Sequence, residues 1–198
     1  MWKSHNYEKV FSIEIESNIW NKKNFQGIEL HEKTIGLVGF GSIGKEIARI
    51  AKGYNMSIYC IVSNYSQKRA SELLEENVTL LKELYDLITL SDILVICCPY
   101  NDSTKNLINL DNMKNMHSNS ILINIARGGI VVEEDLYQLL LDAKIYGAAS
   151  DVFRQERKFS PLFSLNNFIG TPHIGAMTNE SQEKIANLII ELLEKESN

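Results

Sequence analysis

The chain has 198 residues, of which 44% are hydrophobic and 23% charged, a composition typical of soluble globular proteins. It excludes a disordered chain, and the low glycine and proline contents exclude collagen-like and proline-rich architectures. No apolar run approaches the roughly 18 residues of a membrane-spanning helix. The net charge of −5 argues against general nucleic-acid binding, which needs a basic surface. The length favours one large domain over two small ones.

The three cysteines, Cys60, Cys97 and Cys98, form no disulfide framework, because their number is odd and two are adjacent in an apolar run. No spacing of cysteine and histidine suits zinc, so we expect no metal. The N-terminus, Met1 to Tyr7, has neither an apolar core nor a cleavage site. These features predict a reduced, cytoplasmic protein that is not attached to a membrane.

Residues 1–33 form the first region. Val10, Ile13 and Ser17 have helical spacing, which predicts one helix, and a loop follows over residues 21–33. From residue 34 onwards, short apolar runs alternate with amphipathic segments. We predict strands at 34–39, 57–62, 92–98, 121–125, 148–152 and 168–170, and helices at 42–52, 66–76, 80–90, 108–116, 133–143 and 180–195.

This alternation predicts βαβ units, because fully apolar strands belong to a parallel sheet that is covered on both faces. We therefore expect an α/β fold: a doubly wound, Rossmann-type parallel sheet with helices on both faces. Residues 34–198 would form a dinucleotide-binding domain that also carries the catalytic residues. Residues 1–33 would add an N-terminal helix and a connecting loop.

A G-x-G-x-x-G motif, Gly39-Phe40-Gly41-Ser42-Ile43-Gly44, lies between the first predicted strand and the first predicted helix of this domain. The motif alone is weak evidence, but this context is the one that dinucleotide binding requires. Gly39 permits the tight turn, Gly41 lets a pyrophosphate approach the backbone, and Gly44 lets the helix pack closely on the strand. The alternative is a glycine-rich turn without a ligand, which this context disfavours.

An acidic residue about 20 positions further on normally binds the adenosine ribose. The second strand instead ends at Val62-Ser63-Asn64, so no carboxylate there would repel a 2′-phosphate. Lys68 and Arg69 follow, although cations on a helix face are more often simply solvated. The sequence therefore leaves both NAD and NADP open as cofactors.

Four charged side chains follow strands in the second half of the chain. Arg127 follows the fourth predicted strand, at the edge where ligands of such sheets bind, and its guanidinium suits a carboxylate. Asp151, Glu156 and His173 follow later strands, and a histidine with a carboxylate partner is a candidate proton donor. The alternatives are a surface arginine in a turn, solvated loop acids and a structural histidine.

Together these segments resemble the NAD-binding domain of the D-isomer-specific 2-hydroxyacid dehydrogenases. The resemblance runs from about residue 20 to residue 190. It rests on five segments in order: the glycine motif, Ser91-Asp92-Ile93 through Pro99 with Thr104, Ile123-Asn124-Ile125-Ala126-Arg127-Gly128-Gly129, Asp151-Val152-Phe153, and Thr171-Pro172-His173-Ile174-Gly175-Ala176. Each segment is only modestly specific, but the ordered set is highly specific.

The resemblance implies a hydride transfer between a nicotinamide and a small 2-hydroxy or 2-oxo acid. Arg127 would bind the substrate carboxylate, His173 would be the acid/base, and Glu156 would orient His173 and favour its protonated form. Ser42 and Ile43 would meet the pyrophosphate and Asp151 the carboxamide. The full set of expected cofactor contacts is Gly39, Gly41, Ser42, Ile43, Gly44, Val62, Ser63, Pro99, Thr104, Ile125, Ala126, Arg127, Asp151, His173 and Gly175.

The chain departs from the family pattern at several positions. Val62 stands where the ribose-binding acid is usual, Arg157 where proline usually follows the glutamate, and Ser150 where leucine is usual. Only 33 residues precede the first predicted strand. In the family, a long N-terminal region contributes to the substrate domain, so we expect that domain to be missing.

Three functions remain open at this point: a working dehydrogenase, an NAD(H)-binding module without turnover, and an inactive truncated fragment. Relatives usually dimerise through this domain, so we expect a homodimer. Trp2, Phe11 and Trp20 would contribute to the contact or would pack on their own domain instead. The sequence does not identify the substrate acid.

Overall fold

The carboxyl ends of seven parallel strands define one edge of the molecule. The computed structural model describes residues 27–196. The helix predicted around Val10, Ile13 and Ser17 therefore lies outside the described residues, as do Trp2, Phe11 and Trp20. The strands are β1 (Thr34–Val38), β2 (Ser57–Ile61), β3 (Thr79–Leu80), β4 (Ile93–Ile96), β5 (Ile121–Asn124), β6 (Gly147–Ser150) and β7 (Phe168–Gly170).

Within residues 27–196, six α-helices connect or follow these strands. They are α1 (Ser42–Lys52), α2 (Gln67–Glu75), α3 (Leu84–Leu90), α4 (Leu110–Met113), α5 (Glu133–Leu141) and α6 (Asn179–Glu196). Two short 3₁₀ helices, Gly128–Ile130 and Pro161–Ser164, were not predicted from the sequence. Within residues 27–196, no helix is both long enough and apolar enough to cross a membrane.

The strand order is β3-β2-β1-β4-β5-β6-β7, and every pair is parallel. β1 pairs with β2 on one side and with β4 on the other. The order of the strands therefore reverses beside β1, and in doubly wound sheets the ligand crevice lies outside the strand ends at such a reversal. This arrangement confirms the predicted Rossmann-type sheet.

The central strands are buried on both faces of the sheet. Leu37 and Val95 point into one hydrophobic cluster, whereas Val38, Leu94 and Ile96 point into the other. Alternate residues face opposite sides because the side-chain period of a strand is two. A hydrophobic core therefore packs against each face of the sheet, and the loops at its carboxyl edge extend from these buried strands.

The prediction of a helix over residues 80–90 is wrong at its beginning. Thr79–Leu80 forms the edge strand β3, which pairs with Tyr59 and Cys60 of β2, and the helix begins only at Leu84. Leu80 fits the apolar helical period of the segment, but its pairing partner lies about 20 residues earlier in the chain. Tertiary pairing therefore overrides the local pattern.

Candidate active site

The glycine motif forms the turn between β1 and α1. Gly39 has a φ of +102°, and a Cβ at this position would lie 2.8 Å from the Cα of Cys98. At Gly44 a Cβ would lie 2.9 Å from the carbonyl oxygen of Gly39, so α1 packs closely on the turn. Nothing lies within 4 Å of a Cβ at Gly41. That open space in front of the first N–H groups of α1 fits the pyrophosphate of a dinucleotide.

A cysteine thiol makes a hydrogen bond to this turn. The Cys97 Sγ donates to the carbonyl oxygen of Gly39 over 3.1 Å. Burial and the neighbouring Cys98 and Cys60 raise the pKa of Cys97 to about 12, and burial raises the pKa of Cys60 to about 11. All three cysteines are free. These thiols therefore stay protonated and serve as packing groups and weak donors.

A cavity of about 910 Å³ opens beside the turn, at the carboxyl ends of β4 and β5. Five of its lining residues belong to the predicted contact set: Ile43, Pro99, Ile125, Ala126 and Arg127. Eight others were not predicted: Cys97, Cys98, Tyr100, Lys105, Asn106, Gly129, Phe153 and Arg154. Its lining includes three cations and no carboxylate, so the cavity favours an anionic ligand.

Other predicted cofactor contacts lie apart from this cavity lining and have partners of their own. Val62 is partly buried against the core, and Ser63 donates to the side chain of Asn64 over 2.5 Å. The Thr104 hydroxyl donates to the carbonyl oxygen of Pro99 over 2.8 Å and accepts from the Asn101 N–H. Thr104 therefore shapes the loop that follows β4.

Arg127 lies immediately beyond β5, in the loop predicted from the sequence. The buried Asn124 side chain accepts from the Ala126 N–H and donates to the Arg127 carbonyl, at 3.1 Å in each case. One guanidinium nitrogen of Arg127 donates to the Ala126 carbonyl over 2.7 Å. Asn124 therefore fixes the backbone that presents Arg127 at the cavity wall.

His173 and Glu156 come together although they are 17 residues apart. The Nδ1 of His173 lies 2.8 Å from the Oε1 of Glu156, and each side chain is about half exposed. Arg157 has a φ of +67°, a conformation closed to the proline that is usual there in the resembled family. The loop thus has a conformation at Arg157 that proline could not adopt, and the histidine meets its carboxylate in this conformation.

The loop that carries His173 is held by Asp151, directly after β6. Its carboxylate accepts from the Thr171 hydroxyl over 2.5 Å and from the N–H groups of Ile174 and Gly175 over 2.9 and 3.0 Å. The Asp151 carbonyl accepts from the His173 N–H. These bonds keep His173 at a φ of +55°, a left-handed conformation that is unfavourable for a non-glycine residue.

The same contacts lower the pKa of the Asp151 carboxyl group. Its partial burial raises the pKa, but the hydrogen bonds from Thr171, Ile174 and Gly175 and the nearby His173 outweigh burial and lower it. Asp151 is therefore ionised at neutral pH. The sequence singled out Asp151 as a cofactor contact but missed its hold on the His173 loop, because that role depends on backbone N–H groups.

Among residues 27–196, no group of three or more histidine, cysteine or acidic side chains is arranged to hold a metal ion.

Comparison with known proteins is consistent with this site. Residues 6–175 match the family model described as "D-isomer specific 2-hydroxyacid dehydrogenase, NAD binding domain". The chain belongs to this family. The matched residues span the glycine motif, Arg127 and His173, and the family assignment makes NAD the cofactor class of the domain.

Curated relatives carry related names. The chain is 37% identical over 177 residues to a D-3-phosphoglycerate dehydrogenase of Methanocaldococcus jannaschii, covering 89% of this chain and 33% of that protein. It is 42% identical over 171 residues to a glyoxylate reductase of Pyrococcus furiosus, covering 86% of this chain and 50% of the relative. The chain thus spans a third to a half of these two relatives.

The fold is also found among solved structures. A D-lactate dehydrogenase from Aquifex aeolicus, in complex with NAD and lactic acid, superposes with a TM-score of 0.82 at 25% identity. The match covers 94% of this chain and 60% of that enzyme. The chain therefore shares the fold of the matched part of that enzyme.

Proposed function

We propose that this chain supplies the cofactor site and the acid/base residues of an NAD(P)-dependent D-2-hydroxyacid dehydrogenase. The observation that carries the proposal is the 2.8 Å contact between His173 Nδ1 and Glu156 Oε1, on loops at the cofactor-binding edge of the sheet. A domain that only bound a dinucleotide would not need this pair. The cationic cavity wall that includes Arg127 supports an acid as the substrate.

In the proposed reaction Arg127 binds the carboxylate of a 2-oxo acid and polarises its reacting carbonyl. His173 donates its Nε2 proton to the carbonyl oxygen and takes that proton back from the hydroxyl in the reverse direction. Glu156 accepts from Nδ1–H and stabilises the imidazolium. The nicotinamide, when bound, supplies or accepts the hydride.

For the cofactor, we propose that Gly39, Gly41 and Gly44, with the N–H groups of Ser42 and Ile43, hold the pyrophosphate. Val62 and Ser63 would flank the adenosine ribose. Because no carboxylate stands at this position, we propose that the site accepts NADP as well as NAD. Calorimetric titration of the chain with NADH and NADPH in parallel measures this preference, and binding of NADH alone would contradict the proposal.

Turnover is tested with a panel of 2-oxo acids, including glyoxylate, pyruvate and hydroxypyruvate, by following the absorbance of NADH. His173→Gln should lower kcat about 10²–10⁴-fold. His117→Gln is the matched control, because His117 lies at another edge near Asp92. Equal activity of wild type and His173→Gln would contradict the assignment. Tight NADH binding without turnover of any acid would favour the binding module instead.

We also propose that the protein is a cytoplasmic homodimer that uses residues 1–33 in its contact. Sedimentation of the chain and of a variant with Trp2, Phe11 and Trp20 replaced by alanine tests this. A monomeric wild type, or an unchanged dimer in the variant, would contradict the proposed contact.

A further inference from the structure

The loop that carries Glu156 is tied at both ends to one carboxylate from a different element. Glu133, the first residue of α5, accepts from the backbone N–H of Arg154 through Oε1 over 2.5 Å. Its Oε2 accepts from the hydroxyl of Ser160 over 3.3 Å. Five residues lie between these two attachment points, and Glu156 is one of them. A single side chain therefore contacts both ends of the loop.

Between its ends the loop makes few contacts, among them a ring contact of Phe159 with Phe163. Residues 154–159 are exposed, and Arg157 has a positive φ. A hydrogen bond from the Lys158 N–H to the Gln155 carbonyl, at 3.3 Å, is near the long limit for such bonds. The position of Glu156 therefore depends strongly on where the two ends are held.

Both ends of the loop make contacts with the body of the protein. Ser160 is only 6% exposed, so its hydroxyl needs a partner inside the protein, and Glu133 supplies one. At the other end, the peptide between Phe153 and Arg154 lies against Gly128, where a Cβ would come within 2.0 Å of the Phe153 carbonyl carbon. The Arg154 side chain also donates to the side chain of Asn106 over 2.6 Å.

We propose that Glu133 is a positioning residue that holds this loop so that Glu156 meets the Nδ1 of His173. The proposal deepens the function proposed above, since it rests on the role of the His173–Glu156 pair. The competing explanation is that Glu133 only serves the N-terminus of α5, where an acidic residue favours the helix dipole. Glu134 shares that location and contacts Arg154 only through its side chain, at 4.0 Å.

The pair Glu133→Ala and Glu134→Ala separates these explanations, because both remove one acid from the first turn of α5 and only one removes the tether. Hydrogen exchange of the full chain should show the Arg154 amide exchanging roughly tenfold faster in Glu133→Ala and unchanged in Glu134→Ala. Circular dichroism checks that each variant is folded. Where Glu133→Ala does not fold, Ser160→Ala, which removes one of the two attachments, replaces it.

The nitrogen chemical shifts of His173 give a signature that a merely structural residue would not move. With Glu156 in place, the neutral imidazole should carry its proton on Nδ1, and in Glu156→Gln and Glu133→Ala that population should fall. Glu133→Gln should recover most of it, because the amide oxygen still accepts from Arg154. In the Glu156→Gln background, Glu133→Ala should add no further change.

Three results would overturn the proposal: unchanged Arg154 exchange and imidazole shifts in Glu133→Ala, equal effects of Glu134→Ala, or a full effect of Glu133→Ala in the Glu156→Gln background. A different set of results is expected if the proposed function is wrong. In that case Glu133→Ala still changes the loop and the imidazole, whereas Glu156→Gln leaves turnover of the 2-oxo acids unchanged.

Discussion

The two halves of the carboxyl edge of the sheet are built differently. On the side of β1 and β2, the edge is made of backbone and small residues: the glycine motif, and Val62 and Ser63 without a charge. On the side of β5, β6 and β7 it is made of charged side chains, and Asp151 and Glu133 each hold a neighbouring loop. The first half offers space and N–H groups, whereas the second offers groups that can bind acids and move protons.

This difference has a physical basis. A pyrophosphate is large and fully charged, so the positive end of a helix and close backbone approach suffice to bind it. Acid/base chemistry needs a proton donor or acceptor atom within hydrogen-bond distance of the reacting group. Directional hydrogen bonds must therefore fix the loop that carries this atom. Cofactor affinity should therefore be sensitive to added volume in the glycine half, whereas the placement of the His173 loop in the charged half should be sensitive to the loss of a single carboxylate.

Gly128→Ala should have the largest effect on folding stability. Its Cβ would lie 2.0 Å from the Phe153 carbonyl carbon and 2.2 Å from the Arg154 nitrogen, and backbone atoms cannot turn away as a side chain does. We expect a loss of about 3 kcal/mol in the free energy of unfolding, measured by chemical denaturation. A variant as stable as wild type would show that the two loops do not pack as closely as described.

Gly41→Ala should leave stability within about 0.5 kcal/mol, since a Cβ there meets nothing within 4 Å and the φ is −89°. The same methyl group occupies the space in front of α1, so NADH affinity should fall about tenfold or more, measured by calorimetry. Affinity equal to wild type would mean that the pyrophosphate lies elsewhere. Gly27→Ala is the matched control, because it lies outside the motif and a Cβ there also meets nothing within 4 Å.

Asp151→Asn tests the charged half through pH. Because the folded protein lowers the pKa of Asp151 below its ordinary value of 3.8, the ionised carboxylate stabilises the fold above that value. This contribution is lost as the pH falls from 3.8 through the lower folded pKa. Unfolding midpoints measured down through this range should fall less steeply in Asp151→Asn than in wild type. If the unfolding midpoints of Asp151→Asn and wild type fell equally with pH, the role of Asp151 in holding the His173 loop would be contradicted.

The smallest effect is expected from alkylation of the thiols below the glycine turn. Since their pKa values are raised to about 12 for Cys97 and about 11 for Cys60, very little reactive thiolate is present near neutral pH. Iodoacetamide should therefore modify these two residues slowly in the native protein and rapidly after unfolding, as mass spectrometry would measure. Rapid native modification of Cys97 would contradict its burial under the turn.

The sequence by itself determined the alternation of strands and helices, the parallel sheet and the glycine turn. Each of these depends on residues close together in the chain: an apolar run, a helical period, or three glycines within six positions. It also singled out Arg127, Glu156 and His173 as candidates, because each follows a strand or precedes a helix in a short recognisable segment. Patterns of this kind are local, so a single sequence carries them.

Only the tertiary structure decided what those candidates contact. The strand β3 at Thr79–Leu80 forms where the period predicted a helix, because its partner lies on β2. Glu133 looks like an ordinary acid at the start of a helix until Arg154 and Ser160 meet it from more than 20 residues away. Contacts between distant segments, and those made through backbone N–H groups, leave no local pattern, and they position the His173–Glu156 pair.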